Sequence, residues 1–180
     1  MFGIQYVALR YFNAAGADPS GEIGQDYEPA THLIGRVLKA ALGQIPDLKV
    51  NGVDYPTKDG TCIRDYIHVS DLVDAHLLAL DYLFDESSKQ RRIYPKSNIF
   101  NLGNGQGFSV REVLDSAQKI TGKKISVEEG PRRKGDPVEL IADATKAKKL
   151  LGWKPKFSRL EDIVGSAWNW HQKHPNGYLD

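Results

Sequence analysis

The sequence predicts an α/β fold, in which short strands alternate with amphipathic helices along 180 residues. Three observations predict it. Residues 4–12 are rich in β-branched, aromatic and aliphatic side chains, which is typical of a largely buried strand. In several later segments apolar residues recur every three or four positions, as they do on one face of a helix. Glycine, proline and aspartate separate the two kinds of pattern.

After the N-terminal strand we expect a loop, a helix and a short strand. Residues 13–29 are predicted to be the loop, because glycines and a proline interrupt any periodicity. Thr31 is expected to cap a helix that ends at Gly43. The short strand follows at 49–52. The apolar stripe of the helix consists of Leu33, Ile34, Val37, Leu38 and Ala41.

The middle of the chain is predicted to contain a strand, a helix and a surface loop. The strand covers 64–69, and Ser70 or Asp71 is expected to cap the helix behind it. Residues 85–97 are polar and mixed, which indicates the loop. The apolar residues of the helix are Leu72, Val73, Leu77, Leu80 and Phe84.

A second strand–turn–helix unit begins at residue 98. The strand is predicted over 98–102, and the glycine-rich turn covers 103–107. Ser109 and Glu112 have the spacing of a capping box, so we expect a helix to begin there and to end at Gly122. Its inward-facing residues would be Val110, Val113, Leu114, Ala117 and Ile120.

The C-terminal part is predicted to hold two short strands and two helices. The strands cover 125–128 and 138–142. Asp143 is expected to cap a small helix that ends at Gly152. The last helix is defined by the apolar and aromatic positions Leu160, Ile163, Val164, Ala167, Trp168 and His171.

Composition excludes several classes of protein. A formal net charge of +1 argues against a nucleic-acid-binding protein, which carries a concentrated basic surface. No apolar run approaches the roughly 20 residues that cross a bilayer, and the first residues lack a signal-peptide pattern. The single cysteine, Cys62, permits no intrachain disulfide, which indicates a reducing compartment such as the cytoplasm. Neither a nucleic acid nor a membrane is therefore expected as a partner.

Two arginines indicate a phosphate site. Arg64 lies among β-forming residues directly after a glycine turn, where a guanidinium would hold a phosphate. Arg133 lies in a second turn, with Asp136 close by to accept hydrogen bonds from ribose hydroxyls. Two separated arginine sites beside turn glycines favour a diphosphate clamp. Two alternatives stay open: an ion pair of Arg64 with Asp65 or another carboxylate, and a solvated loop over 132–136.

Three other patterns bear on a ligand. Asn13 directly follows the N-terminal strand, at the edge where ligands of open α/β sheets bind, and its amide suits a sugar hydroxyl. The alternative is an amide that bonds its own backbone. The glycines of 103–107 resemble a dinucleotide-binding fingerprint, but the third comes one residue early, so a tight turn is favoured. No metal site is predicted, because no metal-ligand spacing is found among His68, Asp71, Asp74 and His76.

These residues lie within segments that resemble the UDP-glucose 4-epimerase (UDP-galactose 4-epimerase) family of extended short-chain dehydrogenases/reductases. The resemblance runs nearly end to end, but it covers only the C-terminal half or so of such an enzyme. The segments are LRYFNAAGADPSGEIGQD (9–26), THLI (31–34), DYPTKDGTCIRDYIHVSDL (54–72), NLGNGQGFSV (101–110), GPRRKGD (130–136), LGWKP (151–155) and WNWHQKHPNGY (168–178).

The resemblance implies a fold and a domain organisation. The whole chain, 1–180, would be a single C-terminal substrate-binding lobe, with remnant strands and a helix of the Rossmann-type domain. Residues 1–13 and about 66–104 would pack against the rest of that domain. Family members oxidise C4 of a UDP-hexose with tightly bound NAD, rotate the 4-keto sugar and return the hydride to its opposite face.

The resemblance also implies roles for individual residues. Tyr11 and Phe12 would lie near NAD, as cofactor-binding residues, or near the sugar. Arg64 and Arg133 would hold phosphate, and Asp136 the ribose. The residues that would bind the UDP-sugar are Asn13, Thr31, His32, Leu33, Lys49, Val50, Asn51, Arg64, Arg133, Asp136 and Leu140, the last at a position whose size helps decide whether N-acetylated sugars fit.

Two features of the family are absent from this sequence, namely the glycine-rich NAD loop and the Tyr-x-x-x-Lys proton-transfer pair. We therefore expect the chain alone to be inactive and NAD to be held mainly by an N-terminal part. The full-length enzyme would be a cytoplasmic homodimer. The alternatives are a related NAD-dependent epimerase of UDP-pentoses or UDP-N-acetylhexosamines, a nucleotide-sugar dehydratase, or a non-catalytic nucleotide-sugar-binding remnant.

Overall fold

The computed structural model describes residues 4–26, 29–85 and 98–179. Strands in this part of the chain are short and mostly paired in parallel. They are β1 (Ala8–Tyr11), β2 (Asn13–Ala15), β3 (Leu48–Asn51), β4 (Ile63–His68), β5 (Ile99–Leu102), β6 (Gly107–Ser109), β7 (Val127–Gly130) and β8 (Glu139–Leu140). The helices are α1 (Leu33–Ala41), α2 (Val69–Phe84), α3 (Val110–Thr121), α4 (Thr145–Leu150) and α5 (Leu160–Lys173).

Strand β4 is the centre of the largest sheet. It pairs in parallel with β2 and β8 and antiparallel with β6. Two further parallel pairs, β1 with β5 and β3 with β7, complete the described strands. Alternating helices and mostly parallel strands confirm the predicted α/β class.

The predicted N-terminal strand is shorter and less buried than expected for 4–12. The extended segment β1 ends at Tyr11, and after a break at Phe12 the chain continues in β2, so residues 13–15 form a strand rather than a loop. The break moves the chain from its partner β5 to its partner β4. Because β5 is the only strand paired with β1 in the described chain, β1 keeps contact with solvent, and Tyr11 is 49% exposed.

Two predicted helix caps are wrong. Helix α1 follows His32 rather than Thr31, and no side chain caps it. Helix α2 follows His68, whose Nδ1 accepts the backbone N–H of Ser70 at 3.1 Å. The cause is that β4 runs directly into α2 without a loop, so the last strand residue, rather than Ser70 or Asp71, lies over the first turn of the helix.

The second half of the chain follows the prediction more closely. The capping box of Ser109 and Glu112 is present, and Gly122 ends α3 in the left-handed conformation. The predicted cap of α4 is wrong by one position: the helix follows Ala144 and has no side-chain cap, although the Asp143 carboxylate accepts the N–H of Thr145 at 2.9 Å. Strands β7 and β8 are shorter or later than predicted, because only those residues pair with β3 and β4. The predicted surface loop lies, over 86–97, outside the described residues.

Two hydrophobic clusters hold these elements together. The larger cluster packs α1, α3 and α5 against β2, β3 and β4, and among its most buried side chains are Val37, Leu38, Val113, Ile163 and Val164. The smaller cluster lies between α2, α4, β4 and β5, and it includes Ile67, Phe100, Leu102, Ala147 and Trp153. The larger cluster positions the site described below, because its helices and strands also supply the walls of a cavity.

Helix α2 exposes most of its apolar side chains. Leu72 is buried, but Val73, Leu77, Leu80 and Phe84 are 58%, 57%, 50% and 79% exposed. The buried face instead carries Ala75, Ala79 and Tyr82. Within the described part of the chain, no helix combines the length and the apolar character needed to cross a membrane.

Candidate functional site

A cavity of about 310 Å³ opens between β2, β3, β4, the start of α1, the segment 133–136 and the end of α5. It brings together all but one of the residues predicted to bind a ligand. Leu140 does not line it, nor do Tyr11 and Phe12, which the sequence associated with a cofactor. The predicted residues in its wall are Asn13, Thr31, His32, Leu33, Lys49, Val50, Asn51, Arg64, Arg133 and Asp136.

Arg64 and Asp136 meet in the wall of the cavity as an ion pair. The Arg64 Nη2 atom donates to the Asp136 carboxylate and, at 2.8 Å, to the carbonyl of Pro137. Its Nη1 donates to the carbonyl of Ile63 at 2.6 Å. The alternative of an ion pair is therefore realised, with Asp136 as the carboxylate. It holds the guanidinium in one orientation, while the side chain stays 13% exposed towards the cavity.

The segment after β7 carries the second predicted arginine. The amide oxygen of Asn51 accepts from Arg133 Nε at 3.1 Å and from Nη2 at 2.9 Å. This contact ties the turn of Arg133 to the end of β3. On the same strand, Lys49 lies 3.5 Å from Glu128 in an exposed ion pair. An exposed pair of this kind contributes little stability, so Lys49 can exchange its partner readily.

Asn13 joins two strands rather than bonding its own backbone. Its Nδ2 donates to the carbonyl of Asp65 at 2.7 Å, which fixes the amide between β2 and β4. The Oδ1 atom has no hydrogen-bond partner among the described residues, so the acceptor half of the amide remains available at the cavity.

The glycine-rich turn 103–107 is directed away from any ligand. The fully buried Asp65 carboxylate accepts the backbone N–H groups of Asn104 and Gly105, both at 2.9 Å, and of Ala142 at 3.1 Å. A Cβ atom at Gly103 would lie 2.6 Å from Asp65 Oδ2. The turn is therefore a tight structural turn, as favoured from the sequence, because two of its backbone N–H groups are bound by an internal carboxylate.

His68 also has a structural role. Its Nδ1 accepts from Ser70, so the proton resides on Nε2, which lies 2.9 Å from Ser166 Oγ. The ring stacks on Phe157 at 4.1 Å. Burial lowers the pKa of His68, and the residue is uncharged at neutral pH. In the part of the chain that the structure describes, no group of three or more His, Cys, Asp or Glu residues could hold a metal ion.

The sequence analysis missed several wall residues, and those with ionisable side chains are Cys62, Tyr66, Arg36 and His171. Cys62 and Tyr66 are two positions before and after Arg64, so strand alternation places all three on one face and could have found them. Burial raises the pKa of the Cys62 thiol and of the Tyr66 phenol, so both are uncharged at neutral pH.

No sequence pattern associated Arg36 and His171 with a ligand site. Arg36 interrupts the apolar stripe of α1, and His171 was assigned to the packed face of α5. His171 is 5% exposed, and its burial, helped by the nearby charge of Lys39, lowers its pKa to about 4. It lies on the same helical face as Ala167, which also lines the cavity.

Comparison with known proteins places this chain among nucleotide-sugar enzymes. The family model described as GDP-mannose 4,6 dehydratase matches residues 1–165. A UDP-glucose 4-epimerase of Halalkalibacterium halodurans is 54% identical over 98% of this chain and 51% of its own length. The chain thus spans about half the length of the curated relatives it matches.

Solved structures agree with this result. The UDP-glucose 4-epimerase of Bifidobacterium longum in complex with NAD+ and UDP has a TM-score of 0.84 and 41% identity over 96% of this chain and 49% of its own. The UDP-Glc/GlcNAc 4-epimerase of Campylobacter jejuni has a TM-score of 0.74 and 47% identity over 94% of this chain and 49% of its own. The fold and the family resemblance inferred from the sequence are therefore confirmed.

Proposed function

The chain belongs to the GDP-mannose 4,6 dehydratase family, its close relatives are UDP-glucose 4-epimerases, and we propose that it is the UDP-sugar-binding portion of such an NAD-dependent 4-epimerase. The reaction of the whole enzyme would be transient oxidation at C4, rotation of the 4-keto sugar and reduction on its other face. In this proposal the 180-residue chain holds the substrate and does not turn it over by itself.

The observation that carries the proposal is the convergence of the predicted residues on one cavity. Arg36, Lys49, Arg64 and Arg133 give the wall a cationic character that suits a diphosphate. The free oxygen of Asn13 and the carboxylate of Asp136 can accept hydrogen bonds from hydroxyl groups. The volume of about 310 Å³ lies at the lower end of the range for small-molecule sites.

The described residues do not fit a complete NAD site. The glycine-rich turn 103–107 is the segment whose pattern comes nearest to a dinucleotide fingerprint, and its N–H groups are bound to Asp65. Tyr11 and Phe12 lie at the carboxyl end of β1, so they could flank a nicotinamide but could not hold a pyrophosphate. We therefore assign the cofactor mainly to the other half of the full-length enzyme.

The exposed side of α2 supports the proposed domain organisation. Val73, Leu77, Leu80 and Phe84 follow one another at helical spacing, and half or more of each side chain is exposed. Contiguous apolar surface of this kind usually marks an interface. We propose that residues 1–13 and about 66–104 pack against the Rossmann-type domain that the relatives' greater length implies. A cytoplasmic homodimer remains a prediction for the full-length protein.

Calorimetric titration of the chain with UDP tests the proposal. Wild-type chain is expected to bind UDP, and Arg133→Ala is expected to weaken binding by about 10- to 100-fold, because a charge-assisted contact to phosphate is lost. Failure of the wild-type chain to bind UDP and UDP-glucose would contradict the proposed function. A coupled assay with added NAD is expected to detect no conversion of UDP-galactose, and turnover would disprove the proposed inactivity.

The second candidate function is a 4-epimerase for UDP-N-acetylhexosamines. The similarity to the Campylobacter jejuni enzyme, named for UDP-Glc and GlcNAc, favours it. Leu140, the predicted size-determining residue, is 47% exposed and lies outside the cavity wall. Comparing the affinities of the chain for UDP-glucose and UDP-N-acetylglucosamine separates the candidates, since a glucose-specific site is expected to discriminate against the bulkier sugar.

A further inference from the structure

Arg36 lines the cavity, and its charge has no partner among the described residues. It lies in the first turns of α1, and residues 31–36 form one continuous wall of the cavity. Its backbone N–H donates to the carbonyl of His32 at 3.0 Å, as a helix requires. Within residues 4–26, 29–85 and 98–179, its guanidinium makes no hydrogen bond and no ion pair.

The other cationic side chains of the wall already have partners. Arg64 is paired with Asp136, Arg133 with the amide of Asn51, and Lys49 with Glu128. A ligand must share their donors or displace their partners. Among the cavity residues that the structure describes, Arg36 is the cation whose five N–H donors are all available.

The charge of Arg36 is unfavourable at this place unless an anion is bound. The start of a helix carries a partial positive charge from its unpaired N–H groups. The first turn of α1 contains no acidic residue, and no side chain caps it. Helical side chains reach back towards the N-terminus, so the guanidinium of Arg36 adds its charge at the same end. An anion in the cavity would be stabilised by both.

A second, independent feature of the wall also points to a ligand. His171 is 5% exposed and lines the same cavity, yet its ring has no hydrogen-bond partner within the described chain. Buried polar side chains are almost always hydrogen-bonded. A polar molecule bound in the cavity would supply a hydrogen-bond partner for this uncharged imidazole.

We propose that Arg36, beside the positive end of α1, binds a phosphate group of the nucleotide ligand. This inference rests on the proposed function, and it names an anion contact in addition to those of Arg64 and Arg133. Arg36 thereby becomes a positioning residue that orients the diphosphate against α1.

The test compares UDP with uridine, which lacks the phosphates, by calorimetric titration of the whole chain. Arg36→Gln is expected to lower UDP affinity by about 10- to 100-fold and to leave uridine affinity unchanged, because only the charge-assisted contact is removed. Arg36→Lys keeps the charge without the planar fork and is expected to recover part of the affinity. The matched control is Arg159→Gln, whose side chain is 72% exposed and does not line the cavity, and which should bind both ligands as wild type does.

Each outcome decides a different point. Wild-type UDP affinity in Arg36→Gln, with lowered affinity in Arg133→Ala, would overturn this inference and leave the proposed function intact. Equal losses for UDP and uridine would also overturn it, since they indicate a distorted cavity rather than a lost phosphate contact. Absence of UDP binding by the wild-type chain would refute the proposed function and this inference together.

Discussion

Arg64 and Asp65 are neighbours in β4, yet the two faces of the strand that they occupy differ in how their polar groups are satisfied. On the Arg64 face, the guanidinium is held by Asp136 but stays partly exposed to a cavity. On the Asp65 face, a fully buried carboxylate takes up three backbone N–H groups. Contact with the cavity distinguishes the candidate ligand site from structural polar packing, whereas glycine content does not.

The largest expected effect comes from removing the carboxylate of the structural face. Asp65→Ala takes the buried acceptor away from three backbone N–H groups, of which that of Ala142 is itself buried, so we expect the free energy of unfolding to fall by roughly 3–5 kcal/mol. Urea unfolding measures this change. The control is Asp143→Ala, which removes one exposed hydrogen bond to the backbone N–H of Thr145 and should lower stability much less. Similar losses in the two variants would contradict the comparison.

His171, in the wall of the cavity, should make the free energy of unfolding depend on pH. The pKa of His171 is lowered from 6.5 to about 4, so below pH 6.5 the unfolded chain binds a proton that the folded chain does not. The contribution of the uncharged His171 to the free energy of unfolding is therefore fully present above pH 6.5, and it is lost as the pH decreases towards about 4. The full difference corresponds to about 3 kcal/mol.

Unfolding experiments at several pH values compare wild type with His171→Gln. The variant is expected to show a smaller slope between pH 6.5 and 4, and the slope that remains would belong to His68, whose pKa burial also lowers. Identical slopes in the two proteins would show that His171 takes up its proton without a cost in stability.

Two glycine substitutions, one beside Asp65 and one beside the cavity, should have smaller effects on stability. In Gly103→Ala the new Cβ would lie 2.5 Å from the Cβ of Ala142, so we expect a loss of roughly 1–3 kcal/mol from overpacking. In Gly135→Ala no atom lies within 4 Å, and only the left-handed backbone at φ 81° opposes the change, which should cost about 1 kcal/mol. Thermal unfolding measures the loss of stability in each variant. A larger loss in Gly135→Ala than in Gly103→Ala would contradict the prediction.

Local patterns predicted most of the fold. The capping box at Ser109, the end of α3 at Gly122 and the face of α5 depend on residues within one or two turns, and all three are present. The errors lie where an element depends on a distant partner. The N-terminal run divides at Phe12 because its two parts pair with different strands, β5 and β4.

The α/β class, the family resemblance and the two arginines of the candidate site follow from the sequence alone. The hydrogen-bond partners of the polar groups depend on the tertiary structure. Arg64 finds Asp136 across 72 positions, and Asp65 finds Ala142 across 77. Such partners are chosen by the packing of α1, α3 and α5 on the strands, and no local spacing records them. The same packing brings Arg36 and His171 into the cavity wall, where neither side chain has a hydrogen-bond partner among the described residues.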